Sequence, residues 1–265
     1  MTRTFSRAVD LGARNGHIAE RLQGSAKVEW LAQSEFSWPM TMAAARHGNA
    51  VCVDEEILPF ADGALDLVLS NLALHWVNDL PGALIQVRRA LRPDGLFLAA
   101  MFGSETLREL RASLLHAETD LRGGASPRVS PFVDVRDAGQ LLNRAGFALP
   151  VVDSDTITVT YTDIFKLMTD LRGMGETNAV HERRKTATGR EIFARAGEIY
   201  GQRHADERGR LIATFQIVTL TAWAPHQSQQ KALRPGSAKA RLSDALNATE
   251  VPLDDRTPFP VKDPS

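Results

Sequence analysis

The chain has 265 residues, 43% of them hydrophobic, and a formal net charge of −1. That length allows one large α/β domain or two small ones, with ample apolar content for a core. The near-zero charge gives no reason to expect a nucleic acid or an anionic membrane as the main partner, and a single cysteine excludes an internal disulfide framework or a cysteine-rich zinc site. No apolar run is long enough to span a bilayer, and no signal-peptide core stands at the start, so a reducing cytoplasm is the expected compartment. Cys52 lies in the apolar run Ala50-Val51-Cys52-Val53 and is expected to be a small buried residue.

The first strand ends in Val9-Asp10-Leu11 and breaks at Gly12. A helix follows, with apolar residues at Ile18, Ala19 and Leu22. Gly12 and Gly16 let the backbone approach a ligand closely, and the helix start offers unpaired N–H groups. Asp10 suits a ligand that carries positive charge or donors. The spacing does not meet the G-x-G-x-x-G of a nicotinamide dinucleotide site. Residues 27–33 read as strand two. Glu35 follows, either as a carboxylate accepting hydrogen bonds from a ribose or as a helix-start acid favoured by the dipole. Ser37 is a helix cap and Pro39 sits in the first turn. Residues 49–53 read as strand three, then come Asp54-Glu55-Glu56 and the apolar Ile57-Leu58-Pro59-Phe60. Residues 65–70 are strand four. Asn71 and His75 lie just past its end, where open α/β sheets bind ligands. His75 either orients or deprotonates an acceptor, or packs with Trp76 against the sheet.

A helix is expected over 81–91, a turn at Arg92-Pro93-Asp94-Gly95 and strand five over 96–101. Ser104 is expected to cap a helix running to 121. His116 and Glu118 on it are two apart and point to different sides, which argues against an iron site built on them. The Gly- and Pro-rich stretch 122–132 is a candidate lid. Next come a helix over 134–145 ended by Gly146, strand six over 150–160, a short helix over 163–171 and a second loop, Arg172-Gly173-Met174-Gly175-Glu176-Thr177-Asn178. A helix over 188–204 precedes the strongest strand signal in the chain, 211–223. One domain over 1–223 is expected, with substrate and lid elements in 104–210, and a Pro-rich polar tail over 224–265 with little to bury.

The stretch from Asp10 to Gly16 resembles the first motif of class I S-adenosylmethionine (SAM) methyltransferases, Asp/Glu-x-Gly-x-Gly-x-Gly, with Arg14 in place of the middle glycine. Asp54 to Val68 resembles the Asp-x-x-x-Leu-Pro-Phe-x-Asp-x-x-Phe/Leu-Asp-Leu-Val run of the small-molecule methyltransferase branch. The stretch from Ser70 to Pro81, Leu91-Arg92-Pro93-Asp94-Gly95, Ser130-Pro131-Phe132 and above all the loop from Arg172 to Asn178 resemble the mitochondrial complex I assembly factor 5 family and its bacterial relatives. The malonyl-acyl-carrier-protein methyltransferase of biotin synthesis is the next relative.

The resemblance implies an α/β fold of the class I SAM-methyltransferase (Rossmann-like) type: a doubly wound, mostly parallel sheet with an antiparallel last strand. It implies SAM as cofactor, held by Asp10, Gly12, Gly16, Glu35, Asp54 and Glu55, with no metal site. Asp54 would accept from the adenine amino group, and the Glu55 backbone N–H would reach a ring nitrogen beside Ile57 and Leu58. Asn71 and His75 would position the acceptor. The implied function is a SAM-dependent transferase that acts on, or helps to assemble, a respiratory complex I subunit. The acceptor would be a protein side chain or a small molecule, without nucleic acid or stable membrane insertion. The alternatives are an assembly chaperone without catalysis, an arginine hydroxylase and a malonyl-carrier-protein methyltransferase. Two features depart from the pattern. Arg14 would sit beside the methionine end of SAM or point away from it. The first strand also starts at about residue 8, too early for the helices that such enzymes generally carry before it.

Overall fold

Ala8–Leu11 forms β1, buried along its whole length, as a central strand of a parallel sheet must be. The computed structural model describes residues 3–25 and 27–230. Met1–Gln227 make up one compact unit. The tail expected over 224–265 lies, beyond residue 230, outside the described residues.

After β1 the chain runs through α1 (His17–Leu22), β2 (Leu31–Glu35), α2 (Trp38–Ala44), β3 (Asn49–Cys52), β4 (Leu65–Asn71), α3 (Leu80–Ala90) and β5 (Leu91–Phe102). It continues as α4 (Arg108–Arg122), α5 (Val135–Arg144), β6 (Ala148–Tyr161), α6 (Ile164–Gly173), α7 (Arg190–Arg203) and β7 (Leu211–Trp223). The strands form one sheet in the order β3-β2-β1-β4-β5-β7-β6. β1 to β5 pair in parallel, and β7 runs antiparallel to both β5 and β6. This is the expected doubly wound sheet with an antiparallel last strand. The order reverses between β1 and β4, which opens a crevice at their carboxyl ends.

One core cluster packs α3 and α5 on the sheet through Leu84, Val87, Phe97 and Leu142. A second packs α4, α6 and α7 against β7 through Leu114, Leu167, Ile192 and Phe215. The first stabilises the nucleus of the sheet. The second carries the two loops that the sequence marks as lids.

Several boundaries move for tertiary reasons. Strand two starts at Leu31, not 27, because residues 27–30 instead bond to Phe5 and to the start of β1: Phe5 N–H donates to Lys27 O, and Ala8 N–H to Trp30 O. Ser104 does not cap α4. Residues 103–107 bond sideways to β7, with Gly103 N–H donating to Gln216 O and Leu107 N–H to Thr214 O, so the helix starts only at Arg108. Ser37 holds the cap position of α2 but makes no side-chain cap bond. The turn at 92–95 is an interruption within β5. Leu91 pairs with Leu65, and Leu96 with Leu67, so the residues between them bulge out. Cys52 is exposed rather than buried, because β3 is an edge strand that pairs only with β2. Its thiol donates to Phe36 O at 3.3 Å.

Asp66 fixes the entry of β1. It is 1% exposed and accepts from the N–H groups of Ser6 (2.9 Å, on Oδ2) and Arg7 (2.7 Å, on Oδ1), while Arg92 Nη2 lies 2.8 Å from Oδ2. Asp66→Ala strands two backbone donors beside the sheet and is expected to cost about 3 kcal/mol in urea unfolding. A loss near zero would show that water replaces the carboxylate without penalty.

Candidate functional site

The turn after β1 is held tightly to its surroundings. Gly12 has φ +72, and a Cβ there would stand 2.2 Å from the Ala73 side chain. Gly16 has φ +86, and its Cβ would meet Gln33 Oε1 at 2.6 Å and the Ala44 backbone at 3.0 Å. Both glycines are therefore required by the protein's own packing as well as by their positive φ. Gly12 brings the β1 turn against the loop that follows β4, and Gly16 brings it against β2 and the end of α2.

Asp10 is buried at the end of β1, and its Oδ1 has no hydrogen-bond partner. Burial first, and the charge of Glu35 second, push its carboxyl up to about 7. Glu35 ends β2. Its Oε2 accepts from the Arg14 N–H (2.7 Å) and its Oε1 from the Ser37 N–H (2.9 Å), which leaves lone pairs on each oxygen for a further donor. Asp54 is exposed and accepts from the Glu56 N–H at 2.9 Å. The carboxylate of Glu55 lies beside Gly12, with Oε1 3.7 Å from where a Gly12 Cβ would stand. Burial, and then the charges of Glu35 and Asp54, raise Glu55 to about 7. Of the six residues expected at the cofactor, Asp10 and Glu55 are both raised by the charge of Glu35, while Gly16 faces Gln33 and Ala44 and Asp54 is exposed. Ile57, expected as an apolar wall, is 73% exposed, whereas Leu58 is half-buried.

The second half of the site lies past β4. Asn71 ends that strand and is exposed. His75 sits in a short 3-10 turn, Leu74–Trp76. Its side chain is 2% exposed, with its ring centroid 4.9 Å from Phe102, 5.6 Å from Trp76 and 5.7 Å from Phe132. His75 therefore packs, and it also has a polar partner, because Nε2 lies 3.1 Å from Glu176 Oε2. Its Nδ1 is buried without a partner. Glu176 comes from the loop after α6 and also accepts from Arg14 Nη2 at 2.8 Å. Burial opposes its ionisation, but bonds and charge from His75 and Arg14 outweigh burial and hold its carboxyl below the ordinary range.

The two loops marked as lids meet. Asn178 Nδ2 donates to Pro127 O at 2.9 Å, and between the loops lies a cavity lined by Phe102, Leu107, Arg128, Phe132, Glu176 and Phe215. The first loop is anchored by Arg128, 2.7 Å from the buried Glu118, whose carboxyl the Arg128 bonds bring down to about 2. His116 lies on the exposed side of α4, away from Glu118, as their spacing implied. Among the described residues no group of three His, Cys, Asp or Glu is placed to hold a metal ion, and no helix is long and apolar enough to cross a membrane.

The role of Glu176 escapes the sequence: its loop stands out as a motif, but nothing local joins it to His75, 101 positions away. Arg14 does not turn toward the carboxylates. Its guanidinium points away from them, to Leu72 O, Met174 O and Glu176.

A family model described as a methyltransferase domain matches residues 9–99. The chain is 42% identical over 246 residues to the mitochondrial arginine-hydroxylase NDUFAF5 of Danio rerio, spanning 92% of this chain and 76% of that protein. It is 36% identical to a malonyl-[acyl-carrier protein] O-methyltransferase of Xylella fastidiosa, over 82% of this chain and 73% of that one. Among solved structures, the YcgJ protein of Bacillus subtilis superposes with a TM-score of 0.60 at 15% identity, covering 84% of this chain and 94% of that one, a likeness of fold.

The site's charge should be visible in stability. Asp10 titrates near 7 in the folded chain against an ordinary 3.8. The folded state then binds the proton more tightly than the unfolded state, and stability is lost as pH rises from about 4 to about 7. Asp10→Asn removes that loss. Its melting temperature should gain on the unsubstituted chain between about pH 5 and about pH 8, and a gap that stays constant with pH would contradict this.

Proposed function

The chain belongs to the NDUFAF5 family of methyltransferase-domain proteins, and on that footing we propose that it is a SAM-dependent methyltransferase whose acceptor is a component of respiratory complex I. The observation that carries the cofactor assignment is the buried, unpartnered Oδ1 of Asp10 in the crevice it shares with Glu35. A buried carboxylate without a partner favours a ligand that brings fixed positive charge and donors. Bound there, SAM supplies an electrophilic methyl group on a positively charged sulfur.

Each residue then has a task. Asp10 faces the cationic end. Glu35, already braced by two backbone N–H groups, has lone pairs left for the ribose hydroxyls. Asp54 and the Glu55 backbone hold the adenine edge. Asn71 and His75 place the acceptor, since transfer of this kind depends mainly on alignment. In the neutral His75 ring, Nε2–H donates to Glu176, so Nδ1 carries the free lone pair and takes a proton from the acceptor. The loops at 122–132 and 172–178 close over the cavity and exclude water.

The name carried by the NDUFAF5 relatives favours a second reading, in which the same cavity receives an arginine for hydroxylation. A third reading keeps the fold for holding a client without chemistry. Incubating the chain with complex I subunits, methyl-labelled SAM, dioxygen and a two-electron reductant separates them. Label on a subunit is the expected result, an added oxygen without label selects hydroxylation, and a bound but unmodified subunit selects the chaperone. His75→Ala is expected to cut transfer by about 100-fold or more while leaving affinity for S-adenosylhomocysteine intact.

Calorimetry tests the cofactor site on its own. SAM should bind with micromolar affinity, about −8 kcal/mol, and Glu35→Ala should weaken it by about tenfold or more. A cation favours the ionised forms of Asp10 and Glu55, so binding should tighten as pH rises through about 7. Absence of binding at every pH would remove this assignment.

A further inference from the structure

We propose that Arg14 is a positioning residue that couples the two halves of the site: it holds Glu176, and through it His75 and the 172–178 loop, to the turn after β1. The coupling rests on the reading that SAM binds at Asp10 and Glu35.

Three loops meet at this one side chain. Arg14 Nη1 donates to Met174 O at 2.5 Å, in the loop after α6. Nη2 donates to Leu72 O at 3.0 Å, in the loop after β4, and to Glu176 Oε1 at 2.8 Å. The backbone N–H of the same residue donates to Glu35 Oε2 at 2.7 Å. A continuous path therefore runs from Glu35 through Arg14 and Glu176 to His75, from the cofactor crevice to the acceptor cavity that Glu176 lines.

The chemistry of the side chain fits the task. Three acceptors on two separate chain segments surround the guanidinium, and its rigid fork of donors serves them together. A lysine ammonium is a point charge on a flexible stem and would not hold the same set. The backbone at Arg14 lies at φ 50, a region that glycine enters freely and other residues only with strain. The fold would thus accept glycine here, and the arginine adds the side-chain bonds. Glu176 is 8% exposed, and without Arg14 it would keep only the bond to His75 among its side-chain partners. Anything that orders Glu35 and the β1 turn bears on Arg14, and so on the loop that closes the acceptor cavity.

Hydrogen exchange on the full chain tests this, with peptides covering 172–178 followed in the free state and saturated with S-adenosylhomocysteine. In the unsubstituted chain the loop should be protected, and more so with ligand. In Arg14→Gly, whose backbone suits the turn, the loop should exchange roughly tenfold faster or more. The ligand should still bind by calorimetry but no longer change the loop. Arg14→Lys should behave like the glycine variant. Unchanged protection in Arg14→Gly, a ligand effect that survives it, or a lysine variant equal to the unsubstituted chain would each overturn the proposal. If S-adenosylhomocysteine fails to bind the unsubstituted chain, the cofactor reading falls, and the free-state comparison alone still decides whether Arg14 holds the loop.

Discussion

The contact of the β1 turn with the loop after β4 is the constraint on which the site depends. A methyl group at Gly12 would overlap the side chain of Ala73, so the two segments meet at backbone distance. That closeness sets the width of the crevice at the point where the strand order reverses. It also brings Arg14 within reach of Leu72 O and, across the crevice, of Glu176. A wider turn would separate Asp10 and Glu35 from His75 and Glu176.

The two sides differ in how their charges are compensated. On the side proposed for the cofactor, burial and the charge of Glu35 raise Asp10 and Glu55 to about 7. On the acceptor side Glu176 is buried too, yet it is matched by Arg14 and His75 and stays below the ordinary range. Buried charge that lacks a partner costs stability, whereas a paired carboxylate is held in place. An unpartnered buried carboxylate such as Asp10 favours a cation beside it, whereas Glu176 already has its partners. A cationic cofactor would complete the first side without disturbing the second.

Much of this was legible in the sequence, and the gaps have a common origin. The range of β7 follows from its β-branched and apolar pattern and ends where expected, at Trp223. Asp10, Glu35 and Glu55 were legible as residues at or just past the ends of strands, which share one edge in such sheets. What escaped depends on partners distant in the chain. Ser104 reads as a cap until Gln216 and Thr214 hold residues 103–107 away from the helix. Cys52 reads as buried until its strand is found at the edge of the sheet. The link of Arg14 to Glu176 spans 162 positions, and no local pattern encodes it. Arg14 was visible only as a departure from a motif, and its reach explains why the departure is tolerated.

The most direct test of the central claim is the count of protons released when SAM binds, measured by titration calorimetry at about pH 7 in two buffers of different ionisation enthalpy. If Asp10 and Glu55 face the cationic cofactor, SAM should release protons, and more of them than the uncharged thioether S-adenosylhomocysteine. Binding of both ligands with the same proton count, or SAM binding with none released, would contradict the account.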